Sequence, residues 1–152
     1  MNGVVTFRDI RDVNLMIDAA RIYKHAVVIG GGLLGLEAAN GLAVCGMKVS
    51  VVHLGSKLLD RQLDSAAAGL LQTSLEQRGL EFLMEHQTES IMGNEEGKVK
   101  GIRFKSGGEL AADLIVMAVG IRPNTELADQ AGIHPDRGII VNDTLQTYDP
   151  SI

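Results

Sequence analysis

Between Val27 and Ala39 the chain reads VVIGGGLLGLEAA. Gly30, Gly32 and Gly35 stand there at the spacing G-x-G-x-x-G, after a short apolar run and before a series with helical character. Each glycine of such a pattern answers a separate demand. The first permits a tight turn, the second lets backbone approach a ligand where a Cβ would intrude, and the third lets a helix pack close to a strand. The ligand that suits this arrangement is an anion, because the free N–H groups and the dipole of a helix N-terminus favour negative charge. A dinucleotide pyrophosphate is the anion that the strand–turn–helix spacing fits. The same residues also read as a glycine-rich turn that binds nothing.

A dinucleotide site is completed by a carboxylate about 20 positions on, at the end of the second strand, for the adenine-ribose hydroxyls. Counting 18 positions from Gly35 reaches His53, in KVSVVHLGSKLLDRQ. No carboxylate is there, and the arginines that a 2′-phosphate calls for are missing too. Lys57 and Arg61 are the cations of the loop, and Arg61 reads more simply as a solvated charge. NAD and NADP both stay open, with a lean to NAD. Glu37 is expected in the first turn of the helix, where it either complements the dipole or contacts the nicotinamide end; spacing does not separate the two.

Other chemistries find little support. Cys45 is the one cysteine, which excludes an internal disulfide, and it reads as a small core residue. Asp60, Asp64 and Asp113 read as turn, cap and strand-start residues, and no metal-ligand spacing or Ser/His/Asp order stands out. A net charge of -5 argues against nucleic acid or an anionic membrane as partner. No apolar run is long enough to span a bilayer, and MNGVVTFRD has no export signal, so the cytoplasm is the expected compartment. Three phenylalanines, two tyrosines and no tryptophan leave little to stack a flavin ring.

Elements must position these residues. Val4 to Phe7 reads as an extended lead-in, and Asp9 caps a helix with apolar Ile10, Val13, Ile17 and Ala20. HAVVI (residues 25–29) reads as a buried parallel strand, followed by a helix from Leu34 to Cys45, a strand from Lys48 to His53, a helix from Asp64 to Gly79 and a strand from Leu80 to Met84. Such alternation predicts a parallel sheet with right-handed crossovers. From Gln87 to Leu110 three short strands with turns NEEG and SGG predict an antiparallel meander. Its apolar positions change parity at Gly101, which predicts a bulge. Asp113 to Val119 is a further buried strand, Thr125 caps a short helix, and Gly138 to Val141 reads as a last strand.

GGGLLGLEAA, KVSVVH, ELAADLIVMAVGIRPNTELADQAGI and RGIIVNDTLQT together resemble the NAD(P)H-binding domain of the pyridine nucleotide-disulfide oxidoreductase flavoproteins, over nearly the whole chain. The resemblance implies an α/β, Rossmann-like parallel sheet with helices on both faces and a three-stranded antiparallel meander in place of the fourth crossover. It implies that Gly30, Gly32 and Gly35 hold the pyrophosphate with backbone help from Leu33 and Leu34, and that Glu37 lies near the nicotinamide. His53 takes the adenosine-ribose position with Lys57 near it, and the strand end at Val119 and Gly120 lies under the nicotinamide. No catalytic acid, base or metal ligand is implied. Within the family, VSVVHL followed by RQLD is most similar to the large subunits of NAD(P)H-dependent assimilatory nitrite reductases, with rubredoxin and ferredoxin reductases next.

The expectation that follows is an electron-input module. Residues 1–24 would link from an FAD-binding domain of the same longer chain, and residues 25–152 would bind NAD(H) or NADP(H) and present the nicotinamide to FAD in that domain. Siroheme and an iron–sulfur cluster would lie elsewhere in the full-length protein, and the 152 residues alone would bind dinucleotide weakly and catalyse nothing. A non-catalytic NAD(H)-sensing domain is the alternative of a different class.

Overall fold

Val4–Thr6 is extended, as expected, and forms a strand, β1: Val4, Val5 and Thr6 pair in parallel with Ile115, Val116 and Met117. The chain continues through α1 (Ile10–Ile22), β2 (His25–Ile29), α2 (Leu33–Val44), β3 (Lys48–Val52), α3 (Ser65–Glu76) and β4 (Leu80–Leu83). The short strands β5 (Thr88–Gly93), β6 (Val99–Phe104) and β7 (Glu109–Ala111) follow, then β8 (Leu114–Met117) and α4 (Glu126–Gln130). The computed structural model describes residues 1–152, in two units, Met1–Val119 and Gly120–Ile152. Residues 1–24 therefore share a unit with the sheet, because β1 takes β8 as its ladder partner. The division into two units falls after Val119.

The main sheet is parallel, in the order β1-β8-β2-β3-β4. The expected Rossmann-like sheet and meander are both present. The steps β1 to β2, β2 to β3 and β3 to β4 all move the same way across the sheet, and right-handed crossovers then put α1, α2 and α3 on one face. Met16, Ala38, Ala39 and Leu42 pack there against Ala26, Val28, Val49, Val51 and Val116, with Phe82 joining α3 to the same side. The step from β4 back to β8 runs the other way, so its connection lies on the opposite face. That connection is the meander: Val99, Ile102 and Phe104 cover Val27, Ile29, Val52 and Ile115. β2 is covered from both sides, and Ala26, Val27 and Val28 have no exposed surface.

Local chemistry sets the element ends. The Asp9 carboxylate accepts the Arg11 and Asp12 N–H groups at 2.8 and 3.2 Å, and Asp64 accepts that of Ala67 at 2.8 Å. The bulge expected at Gly101 is present: Met92 pairs with Gly101 and Gly93 with Val99, leaving Lys100 unpaired. Gly101 has φ +152° beneath the Leu110 carbonyl, a conformation that L side chains rarely adopt.

In Gly120–Ile152, α4 starts after Thr125, whose side chain makes no cap bond; Asn124 Oδ1 accepts the Glu126 N–H instead. Residues 138–141 form no strand. Ile139, Ile140 and Val141 are β-branched, but no ladder partner lies beside them and their side chains stay exposed. Propensity without a neighbouring strand does not make a sheet. Asn142 organises the turn beyond, its Oδ1 accepting from Thr144 and Gln146.

Candidate functional site

β2 is the strand at which the sheet changes direction, with β3 following on one side and β8 returning on the other. Ligands of open α/β sheets bind outside the carboxyl ends of the strands at such a switch point. Gly30 follows β2 there, and Ala118 and Val119 follow β8. Gly30 N–H donates to the Val52 carbonyl at 2.8 Å, and Ala118 N–H to that of Ile29 at 2.9 Å.

The glycines of the turn meet four different surroundings. Gly30 has φ +120°, and a Cβ there would overlap the Ala118 carbonyl oxygen. A Cβ on Gly35, in the first turn of α2, would overlap the Gly30 carbonyl oxygen. A Cβ on Gly31 would lie 2.8 Å from Leu58 Cδ2 and 2.9 Å from the His53 ring. Gly32 is different: nothing lies within 4 Å of its Cβ position. It is the N-cap of α2, in extended backbone at φ -85°, and no side chain caps the helix. Leu33 and Leu34 follow with exposed side chains, 55% and 44% accessible.

The segment after β3 is tied to this turn. Gly31 N–H donates to His53 Nδ1 at 3.1 Å, Leu59 N–H donates to the Gly31 carbonyl at 3.1 Å, and His53 Nε2 lies 3.1 Å from the Lys57 carbonyl. Lys57 Nζ donates to the Leu63 carbonyl at 2.8 Å, so its ammonium braces its own loop. Arg61 is exposed. Gly31 was the unassigned x of the motif, and Leu58 and Leu59 carried no motif at all. The signal for Gly31 was the third consecutive glycine, one more than the pattern asks for.

Glu37 is the fifth residue of α2, so it lies past the first turn in which it was expected. Its exposed side chain borders an apolar groove between α1 and α2 with Phe7, Val13 and Ala38. Val119 is 64% exposed at the end of β8. Gly120 begins the second unit with φ +98°. Cys45 is the exposed C-cap of α2 and no core residue, since the helix turns that position outward.

A second polar cluster lies at the amino ends of the strands. His25 Nε2 is 2.9 Å from Ser50 Oγ, Ser50 Oγ donates to Glu81 at 2.9 Å, and Lys48 Nζ pairs with Glu81 at 3.0 Å. Burial, with the Lys48 ammonium acting the same way, holds His25 below the usual histidine range. The hydrogen bonds from Lys48 and Ser50 hold the Glu81 carboxyl below the usual carboxylate range. Ser50 gives its proton to the carboxylate and so accepts from His25. That order satisfies a buried hydroxyl and leaves it without a base to activate it. No group of three or more His, Cys, Asp or Glu side chains could hold a metal ion, and no helix is long and apolar enough to cross a membrane.

Fold and geometry together define an α/β unit of the Rossmann type with an open, uncapped glycine turn at its switch point. The chain belongs to the pyridine nucleotide-disulphide oxidoreductase family, whose model matches residues 1–152. It is 57% identical over 150 residues to the nitrite reductase [NAD(P)H] of Bacillus subtilis (strain 168), covering 99% of this chain and 18% of that protein. It is 54% identical over 150 residues to the assimilatory nitrate reductase electron transfer subunit of the same organism, covering 99% of this chain and 19% of that one. A crystal structure of a ferredoxin reductase from Rhodopseudomonas palustris matches with a TM-score of 0.91 at 29% identity, over 96% of this chain and 36% of the other. The chain thus spans less than a fifth of the length of either Bacillus relative.

Proposed function

We propose that this chain is the NAD(P)H-binding module of an FAD-dependent oxidoreductase of the nitrite reductase type. The observation that carries the reading is the contrast among the glycines. Gly30, Gly31 and Gly35 are each crowded by protein, whereas Gly32 faces open space at the uncapped start of α2. A bare Cα and the free amides of Leu33 and Leu34 suit a pyrophosphate, and the helix dipole adds to the attraction. Gly30 and Gly35 bring strand and helix together behind that surface. His53 and Lys57 lie on the loop that borders the turn, on the adenosine side in this reading. Val119 would lie under the nicotinamide, with Glu37 as the polar residue near it.

NAD(P)H, when bound, supplies a hydride. This chain's part is to hold the nicotinamide in one orientation toward FAD in another domain of the same longer chain. No side chain of the turn has to move a proton. Siroheme and an iron–sulfur cluster belong to other parts of that longer protein. Identities of 57% and 54% to proteins of nitrite and nitrate reduction, against 29% to the ferredoxin reductase, support that branch over a ferredoxin-type acceptor.

Calorimetric titration of the chain with NADH, NADPH and FAD in parallel tests the binding role. Heat from a nicotinamide dinucleotide and none from FAD supports it. Silence from both nicotinamide dinucleotides at millimolar concentration overturns it. The branch is tested on the longer protein, by whether NADH oxidation depends on nitrite.

A further inference from the structure

Both backbone polar groups of Gly31 are held by one loop. Its N–H donates to His53 Nδ1 and its carbonyl accepts from Leu59 N–H, each at 3.1 Å. Leu59, buried, takes φ +49° where it reaches the turn, a conformation that a leucine rarely adopts. The ring itself sits between two glycines, since a Cβ on Gly31 or on Gly55 would come within 2.9 Å of it. To accept from Gly31, Nδ1 must carry no proton. Nε2 then carries it and donates to the Lys57 carbonyl at 3.1 Å. Two independent contacts therefore agree on one neutral tautomer.

We propose that His53 is a positioning residue: as the neutral Nε2–H tautomer it holds Gly31 so that the amides beyond it face the phosphate site, and its protonation releases the turn. The consequence for binding rests on the dinucleotide reading above; the brace is a property of the chain itself. A proton on Nδ1 would set two donors face to face at Gly31, and the contact would open. Charged groups on the segments around the ring do not replace it. On its own loop Lys57 is held by the Leu63 carbonyl, and Asp60 and Arg61 are exposed. After β4, Glu85 and His86 approach through backbone N–H groups that donate to the Gly55 and His53 carbonyls, and His86 Nδ1 lies on the Met84 carbonyl. The glycine turn carries no charge.

The test uses the ¹⁵N-labelled chain. Long-range ¹H–¹⁵N spectra report the His53 tautomer, and the Gly31 amide and NADH affinity are followed from about pH 8 to about 5.5, the range in which histidines change charge. The expected results are the Nε2–H tautomer at the upper end, a Gly31 amide that moves with the ring's protonation, and NADH affinity that falls about three- to tenfold, the worth of one hydrogen bond. His53→Asn keeps an acceptor near the Nδ1 position but takes no proton, so its affinity should not vary with pH through this step. His53→Ala should bind weakly throughout. An Nδ1–H tautomer, a Gly31 amide indifferent to the ring, or an Asn variant that keeps the wild-type pH profile would overturn the proposal. A Gly31 amide that follows the ring in a chain that never binds NADH would leave the brace standing and remove the dinucleotide reading instead.

Discussion

Gly35 lies so close to Gly30 that a Cβ on Gly35 would overlap the Gly30 carbonyl oxygen and meet the Ala118 side chain at 3.4 Å. The first turn of α2 rests directly on the backbone that ends β2. Because the obstacle is backbone held in the sheet, the neighbour cannot rotate away. Gly35→Ala must therefore displace the helix. The expected cost is about 1–3 kcal/mol or more, as for other overpacked sites. At about 2–4 °C per kcal/mol for a chain of this size, Tm should fall by several degrees. An unchanged Tm would show that α2 shifts freely on the sheet.

Gly32→Val is the complementary substitution. The backbone at Gly32 is extended, at φ -85° and ψ -176°, and its Cβ position faces open space, so valine fits the folded chain. The loss of a favourable N-cap glycine costs about 1 kcal/mol or less. Dinucleotide binding should be abolished, because the new side chain fills the approach to the Leu33 and Leu34 amides. Calorimetry and a melting curve on the same sample separate the two effects. Retained affinity would end the phosphate-cradle reading.

Features with a local cause were legible in the residues. HAVVI declared a strand buried on both faces, Asp9 and Asp64 declared helix starts, and the parity change at Gly101 declared the bulge that β6 contains. Features that depend on distant partners were not. The residues from Val4 to Phe7 announced an extended segment, but β1 belongs to the sheet because Val4 pairs with Ile115, and nothing near Val4 names that partner. Residues 138–141 have the composition of a strand and no partner. The faces taken by the helices follow from strand order, which the element pattern alone leaves open. At the site, the G-x-G-x-x-G spacing marked Gly30, Gly32 and Gly35, but the need for glycine at position 31 comes from His53 and Leu58, which only the fold brings against it.

Stability should fall in two acid steps traceable to the cluster at the amino ends of the strands. Burial, reinforced by Lys48, lowers the folded-state value of His25 from the ordinary 6.5, so the unfolded chain binds that proton more readily. The contribution of His25 is then full above about pH 6.5 and is lost as pH falls from there toward the folded value. Glu81 is lowered from 4.5, first by the Lys48 hydrogen bond, so its contribution is lost only as pH falls below 4.5 through its folded value. Tm measured against pH for wild type and His25→Gln checks the upper step. The glutamine keeps a donor for Ser50 without a titrating ring, and the difference between the two profiles should shrink as pH drops below 6.5. Parallel profiles would remove His25 from the account.

Lys57 and Arg61 differ in what they are free to do. The Lys57 ammonium already donates to the Leu63 carbonyl at 2.8 Å and would have to break that bond to meet a 2′-phosphate. Arg61 is exposed on the same loop and makes no ion pair. Its guanidinium can also engage a phosphate through two parallel N–H groups, which an ammonium cannot. If the module accepts NADPH, Arg61 is the residue to discriminate it from NADH. Arg61→Ala should then weaken NADPH relative to NADH by about two- to fivefold, the range of an exposed ion pair. Lys57→Met should leave that ratio alone and lower Tm, because it removes a brace from the loop that holds Gly31. The two dissociation constants, measured side by side for each variant, decide the matter. A ratio that moves with Lys57 and not with Arg61 would mean that the lysine leaves Leu63 when the cofactor arrives.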